Sequence, residues 1–155
     1  MDRAGIETIS ILRAHSAAQF AHAGALAAAL WPHHTAQEMT DDLAGRDGAQ
    51  NAVLVAYAGE RPIGFAHVGL RHDYVEGADT SPVGYLEGIY VEAAYRMRGV
   101  ARRLVDAGCA WAKACGCTEF ASDCEIENVH SARMHRALGF EEAGRIVCFL
   151  KKIEE

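Results

Sequence analysis

The sequence lacks any apolar run approaching the roughly 20 residues that a membrane-spanning helix needs. Its first residues, Met1–Gly5, also lack the charged-then-apolar layout of a secretory signal peptide. Basic residues are in the minority, with 15 Lys and Arg against 21 Asp and Glu, and the net charge is −6. We therefore expect no membrane partner and no nucleic-acid partner, because nucleic-acid binding depends on basic side chains that neutralise phosphates.

No Cys-x-x-Cys pair occurs among the five cysteines, and their number is odd. Reduced thiols in a cytoplasm are the expectation. A metal site built from Cys115, Cys117 and a histidine is the alternative, but structural zinc normally has paired ligand spacings, so no metal is predicted. At 155 residues, half of them apolar, the chain is long enough for one domain, 1–155, with a buried core.

Hydrophobic periodicity and capping signals predict the element order β-α-α-β-β-β-α-β-α-β. We predict strands at Ile6–Leu12, Asn51–Ala58, Ile63–Arg71, Tyr85–Val91, Thr118–Ser122 and Ile146–Ile153. Helices are predicted at Ser16–Trp31, from the capping signature Thr35-x-x-Glu38 to Gly45, at Val100–Cys115 and at Glu127–Leu138. This order indicates an α/β fold with a mixed sheet and helices on both faces.

A phosphate-binding turn is predicted at Arg96–Ala101, between the strand that ends at Val91 and the helix that begins at Val100. The first N–H groups of a helix attract anions, Gly99 allows close approach, and Arg96 and Arg98 add charged donors. No Lys-Ser/Thr follows the glycine and a third glycine is missing, which excludes a P-loop and a dinucleotide fingerprint. An ordinary capped helix is the alternative.

The pattern Arg96-x-x-Gly99-x-Ala101 resembles the pyrophosphate loop of the GNAT superfamily of acyl-coenzyme A-dependent N-acetyltransferases. A second segment, Asn128-x-x-Ser131-x-x-x-His135-x-x-x-Gly139-Phe140, resembles a helix of the same superfamily. The resemblance implies a mostly antiparallel GNAT-like α+β sheet and acetyl-coenzyme A as co-substrate. It assigns coenzyme binding to Ile89, Tyr90, Val91, Arg96, Arg98, Gly99, Val100, Ala101, Arg102, Asn128 and Ser131.

Further segments, 73–91, 117–123 and 134–140, look like those of bacterial aminoglycoside 6′-N-acetyltransferases. This similarity implies transfer of an acetyl group to the 6′-amine of an aminoglycoside by direct attack in a ternary complex, and hence antibiotic resistance. Relatives also suggest a homodimer. Where such relatives carry an aromatic residue near the C-terminus, this chain has Cys148.

Three side chains are candidates for proton transfer. Glu87 lies in the strand before the pyrophosphate loop and is predicted to act as general base, directly or through water; an exposed strand carboxylate is the alternative. Asp123, at the end of the next strand, is predicted to bind the reacting ammonium or to share the base role, and capping a turn is its structural alternative. His135 replaces the tyrosine acid of many superfamily members, and it is otherwise a hydrogen-bonded helix residue.

A cationic acceptor would suit the acidic segments on either side of the coenzyme motif. Trp31 and Tyr74 are predicted as aromatic platforms for sugar rings, with a core anchor and a loop plug as their structural alternatives. The predicted acidic contacts are Asp73, Glu76, Asp79, Glu87 and Asp123. Acetylation of a polyamine, an amino sugar or a protein N-terminus is an alternative, as is a non-enzymatic acyl-coenzyme A-binding module.

Overall fold

The computed structural model of the protein describes residues 7–154. These residues form two compact units, one that ends at Asp123 and one that begins at Cys124. The prediction of a single domain over the whole chain stays a prediction.

The first unit is built on a five-stranded sheet in the order β1-β2-β3-β4-β5. Its strands are β1 (Ile9–Arg13), β2 (Asn51–Ala58), β3 (Arg61–Arg71), β4 (Val83–Val91) and β5 (Phe120–Ser122). The first four strands pair antiparallel in chain order, and β5 pairs with β4 in parallel. This confirms the predicted mixed, mostly antiparallel sheet.

Capping residues that can be recognised in the sequence mark where the first two helices begin. Ser16 caps α1 (Ala17–Leu30), and a reciprocal pair of hydrogen bonds with Gln19 completes a capping box. Thr35 accepts from the N–H of Glu38 at the start of α2 (Ala36–Arg46). Two further helices follow, α3 (Val100–Ala114) in the first unit and α4 (Val129–Ala137) in the second.

The helices of the first unit cover both faces of the sheet, as predicted. Alternate strand residues face opposite sides. On one side, Val53 and Phe65 join the core formed by α1 and α2, which includes Phe20 and Leu43. On the other side, Val68 lies against Gly108 of α3. Because both faces are covered, β2 and β3 read as nearly continuous apolar runs.

The predicted strand Ile146–Ile153 is wrong, since residues 140–154 form no helix or strand. The apolar alternation that suggested it does not create a strand without a neighbouring strand to pair with, and α4 is the only helix or strand among residues 124–154. The first strand also begins later than predicted, at Ile9, and Ile6 lies outside the described residues.

No helix within residues 7–154 is long and apolar enough to cross a membrane.

Candidate active site

Strand β4 carries one extra residue opposite β3, and that residue is Glu87. His67 of β3 pairs with Gly88 and Val68 pairs with Leu86, so Glu87 is left without a partner in the register. A bulge of this kind re-aims the side chain of the extra residue. The Glu87 carboxylate meets Arg71 in a two-pronged ion pair, with Arg71 Nε 3.0 Å from Oε1 and Nη2 2.8 Å from Oε2.

Arg71 also contacts Tyr85, which lies two residues before Glu87 on β4 and links the ion pair to Asp123 after β5. The Arg71 guanidinium carbon lies 3.4 Å from the centroid of the Tyr85 ring, a cation–π contact. The Tyr85 hydroxyl donates a hydrogen bond to Asp123. We call these four side chains the Glu87 cluster. The structure thus brings the two predicted carboxylates, Glu87 and Asp123, into one bonded group.

Protonation within the Glu87 cluster follows from its contacts. The hydrogen bond to Glu87 raises the pKa of Arg71 above its ordinary value, so this guanidinium stays charged. Burial, the hydrogen bond to Asp123 and the charge of Asp123 raise the pKa of Tyr85. Tyr85 is therefore a permanent donor at neutral pH, and it holds Asp123 in place.

A cavity of about 390 Å³ opens beside the Glu87 cluster, on the face of the sheet that α1 and α2 cover. Trp31 forms one wall, where it caps the C-terminus of α1, packs on Gly88 and meets Phe65 edge to face at 6.2 Å. The cavity is lined by Trp31, Asp42, Leu43, Arg46, Asn51, His67, Arg71 and Glu87. Trp31 and Glu87, predicted from separate parts of the sequence, therefore share one cavity.

Each carboxylate that lines this cavity is paired with an arginine. Arg46 Nε lies 3.0 Å from both oxygens of Asp42, one helical turn away, and Arg71 holds Glu87. The two ion pairs balance the charge of the cavity. The cavity therefore presents individual acceptor atoms and no net negative charge from these pairs.

Four of the other predicted substrate residues, Asp73, Tyr74, Glu76 and Asp79, lie in the loop between β3 and β4 and do not line the cavity. Tyr74 is 81% exposed and donates to Glu76 at 2.7 Å. The backbone N–H of Asp79 donates to Glu119 at 3.0 Å, and Asp73 is exposed. The roles of these four residues in substrate binding stay predictions.

The predicted coenzyme side of the site begins where β4 and β5 separate. The two strands pair only from Gly84 to Leu86 on β4, while β4 continues to Val91 beside β3 alone. The outer backbone edge of Ile89–Val91 therefore has no β5 partner. An extended, amide-containing molecule can bind to such an edge by adding to the sheet.

A turn with unusual backbone angles follows β4. Met97 has φ of 62° and Gly99 has φ of 79°, and α3 starts directly after this glycine without a side-chain cap. Arg96 is anchored by a 2.8 Å hydrogen bond from Nε to the carbonyl of Val91. Arg98 lies over Tyr95, 5.5 Å from the ring centroid. The turn places the first N–H groups of α3 beside two exposed arginines. We call residues 96–101 the cradle, and their role in binding an anion stays a prediction.

The predicted residues of the second unit form a local network around the start of α4. Asn128 caps the helix by accepting from the N–H of Ser131 at 3.1 Å. His135 bonds through Nδ1 to the Ser131 carbonyl at 2.7 Å and meets Phe140 edge to face. Its role as the acid stays a prediction, as do the coenzyme contacts of Asn128 and Ser131.

Four residues of the cavity wall and the Glu87 cluster are not among the site residues that the sequence predicts: Asn51, His67, Arg71 and Tyr85. Arg71 was detectable as the lone base among the acidic residues 71–92. His67 and Arg71 also follow the period of two along β3, on the face that carries Phe65. Nothing in the sequence indicates that Asn51 belongs to the site, because only the pairing of β2 with β3 brings it to His67.

Residues 7–154 contain no group of three or more His, Cys, Asp or Glu placed to hold a metal ion. Cys117 is buried, and burial raises the pKa of its thiol. Cys115 and Cys117 belong to no such group among these residues, and the absence of a metal stays an expectation.

A five-stranded mixed sheet that parts beyond Leu86, followed by an arginine-bearing turn and α3, is the arrangement expected of an acyl-coenzyme A-dependent acetyltransferase. The sequence matches the acetyltransferase (GNAT) family over residues 11–140, and the chain belongs to this family. The resemblance found in the two sequence motifs is thereby confirmed.

Among individual proteins, the chain is similar to enzymes named aminoglycoside N(6′)-acetyltransferase type 1. It is 45% identical to one from Stenotrophomonas maltophilia over 127 residues, which cover 81% of this chain and 82% of that protein. Identity to one from Acinetobacter haemolyticus is 48% over 118 residues, 76% of this chain and 79% of that protein.

Solved structures agree with this similarity. AAC(6′)-Iy, in complex with the bisubstrate analogue CoA-S-monomethyl-acetylneamine, superposes with a TM-score of 0.86 at 38% identity, covering 94% of this chain and 99% of that chain. AAC(6′)-Ih from Acinetobacter baumannii superposes with a TM-score of 0.87 at 38% identity, covering 95% of this chain and all of that chain.

Proposed function

We propose that this protein transfers the acetyl group of acetyl-coenzyme A to the 6′-amine of an aminoglycoside, by direct attack in a ternary complex, and so confers resistance. The observation that carries the proposal is the adjacency of two features on β4. Glu87 lines the cavity walled by Trp31, and the edge that β5 leaves open begins within two residues of it. The enzymes described above, with their aminoglycoside and coenzyme A ligands, support this assignment.

The donor half of the site uses backbone groups and arginines. When bound, acetyl-coenzyme A supplies a thioester whose carbonyl carbon is attacked by the amine. The open edge of Ile89–Val91 would hold its pantetheine arm, and an N–H near Ile89 or Tyr90 would stabilise the oxyanion. The pyrophosphate would bind at the start of α3, to Arg96, Arg98, Gly99, Val100, Ala101 and Arg102.

The acceptor half of the site is the cavity beside the Glu87 cluster. Trp31 offers an aromatic wall to a sugar ring, and Glu87 would take the proton that the amine loses. A carboxylate oxygen has two lone pairs, so Glu87 can accept from an amine or a water molecule while it is held by Arg71. Asp123, held by the Tyr85 hydroxyl, would bind the reacting ammonium or share the base role. His135 would protonate the leaving thiolate.

A thiol-release assay with acetyl-coenzyme A tests the proposal. Kanamycin-type and gentamicin-type aminoglycosides and a polyamine would be compared as acceptors, with a no-acceptor blank for hydrolysis. We expect release with the aminoglycosides and mass spectrometry to place one acetyl group on the 6′-amine. Release with the polyamine alone would move the chain to another acceptor class, and tight coenzyme binding without any release would indicate a binding module.

The Gly99→Ala variant tests the coenzyme half of the site. An alanine at φ of 79° costs about 1–2 kcal/mol of backbone strain, and its Cβ would meet no atom within 4 Å, so only the backbone of the cradle is disturbed. We expect the KM for acetyl-coenzyme A to rise about tenfold, as one charged hydrogen bond is weakened. Steady-state kinetics at saturating acceptor measure it.

Gly59 provides the matched control for this variant. It has φ of 60° in the turn between β2 and β3, and a Cβ there also meets nothing within 4 Å. Gly59→Ala should therefore cost similar stability and leave the coenzyme KM unchanged. Equal KM values for the two variants would refute the phosphate assignment.

We also propose that the protein is a cytoplasmic homodimer. The five cysteines, all without disulfides, are consistent with a reducing compartment. Apolar side chains near the C-terminus, including Val147, Phe149 and Leu150, are more than three-quarters exposed. Exposed apolar surface of this kind often marks a protein interface, which supports a second copy as partner.

A further inference from the structure

His67 is the one histidine that lines the cavity, and its ring is oriented by a single neighbour. The side chain is 7% exposed, and its Nε2 lies 2.9 Å from Oδ1 of Asn51. Because an amide oxygen only accepts hydrogen bonds, Nε2 carries the proton and donates it. In the neutral ring, Nδ1 is then an acceptor with a free lone pair.

The Nδ1 atom of His67 is accessible rather than fully buried. Within residues 7–154, no buried side-chain nitrogen or oxygen lacks a hydrogen-bond partner. The structure gives His67 one bond, through Nε2, and places the residue in the cavity wall. Nδ1 is therefore accessible, and the cavity is the space that its residue lines.

The charged groups around His67 are already engaged with one another. Glu87 of β4 is held by Arg71 of β3, and Asp42 of α2 is held by Arg46 one turn later. Burial lowers the pKa of His67 from its ordinary value of 6.5, with Glu87 and Asp42 opposing that effect and Arg46 adding to it. The imidazole is therefore neutral at pH 7.

Resting on the proposed function, we propose that His67 is a further substrate-contacting residue, whose Nδ1 accepts a hydrogen bond from an ammonium or hydroxyl group of the acceptor. The reason is directional. The carboxylates of the cavity are turned toward arginines, whereas Nδ1 is an uncharged acceptor to which none of residues 7–154 donates a hydrogen bond. A polycation with many hydroxyl groups supplies the donor that it lacks.

Replacing His67 by phenylalanine keeps a ring of similar size and removes the acceptor atom. We expect the KM for a kanamycin-type aminoglycoside to rise about tenfold or more, with the KM for acetyl-coenzyme A unchanged. His22→Phe is the matched control, since His22 Nδ1 shares a 2.9 Å hydrogen bond with the Tyr57 hydroxyl and the residue does not line the cavity. This control loses a similar internal bond and should keep the parent acceptor KM.

A pH profile separates contact with substrate from a role in folding. In the parent, the acceptor KM should rise as the pH falls through the His67 pKa, below 6.5, because protonation turns Nδ1 into a donor. Asn51→Asp puts a carboxylate beside Nε2 and raises that pKa, so the rise should begin at higher pH. His67→Phe should abolish it.

The result that overturns the role of His67 is an acceptor KM that stays at the parent value in His67→Phe, or an Asn51→Asp profile identical to that of the parent. These outcomes differ from failure of the proposed function. In that case the parent itself would release no thiol with any aminoglycoside, whatever residue stands at position 67.

Discussion

Replacing Glu87 with glutamine is expected to lower kcat by about 10²–10⁴-fold, the usual range for loss of a general base. Glutamine keeps the size of the side chain and one oxygen, and it removes the capacity to accept a proton. The amine to be acetylated is protonated at neutral pH, so turnover requires a group that takes this proton. The KM for acetyl-coenzyme A should stay near the parent value, since Glu87 precedes the open edge of β4.

Glu92→Gln is the control that separates base chemistry from loss of an ion pair. Glu92 follows directly after β4 and pairs with Arg61 at 3.1 Å, and it does not line the cavity. Both substitutions break an Arg–Glu pair by the same chemical change. Only Glu87→Gln should lower kcat, measured by thiol release from pH 6 to 9. A loss under tenfold, or an equal loss in both variants, would demote Glu87 to a structural carboxylate.

The parts of the fold that local signals specify could be predicted from the sequence. Ser16 and Thr35 cap their helices through bonds to residues three positions later, so the signal and the structure occupy the same few residues. The prediction of a strand at Ile146–Ile153 is wrong because a strand does not depend on local signals alone. A strand exists only when a neighbour supplies hydrogen bonds, and apolar alternation carries no information about that neighbour.

In the candidate site, too, local features could be predicted and contacts between distant residues could not. Glu87 could be predicted because its motif, the strand and the cradle after it are contiguous in sequence. The partners that set its chemistry are not contiguous. Arg71 reaches Glu87 across 16 positions, and Tyr85 reaches Asp123 across 38. The β4 bulge decides which carboxylate meets the guanidinium, and a bulge depends on the register of two strands.

Replacing Gly24 with alanine is expected to lower the free energy of unfolding by about 1–3 kcal/mol, the cost of overpacking a well-packed contact. Gly24 is buried in α1 where that helix crosses α2. A Cβ at this position would lie 1.9 Å from Oγ1 of Thr40, 2.7 Å from its backbone N and 2.8 Å from its Cα. Rotation of the Thr40 side chain relieves only the first clash, so the helices must move apart. Because Trp31 ends α1 and Asp42 and Arg46 belong to α2, the cavity wall moves with them.

Gly45→Ala in α2 is the matched control: the same substitution is expected to raise the free energy of unfolding instead of lowering it. This glycine is exposed, and an added Cβ meets no atom within 4 Å. Alanine lowers the entropy of the unfolded chain, so the variant should gain about 0.4–1 kcal/mol. Urea unfolding followed by circular dichroism measures both changes, and the acceptor KM measured alongside should rise only in Gly24→Ala. If Gly24→Ala matched the parent in both stability and acceptor KM, the two helices would tolerate separation. The close crossing of α1 and α2 would then not determine the shape of the cavity. If it loses stability and acceptor affinity together, the crossing of α1 and α2 is what sets the distance between Trp31 and the residues of α2 across the site.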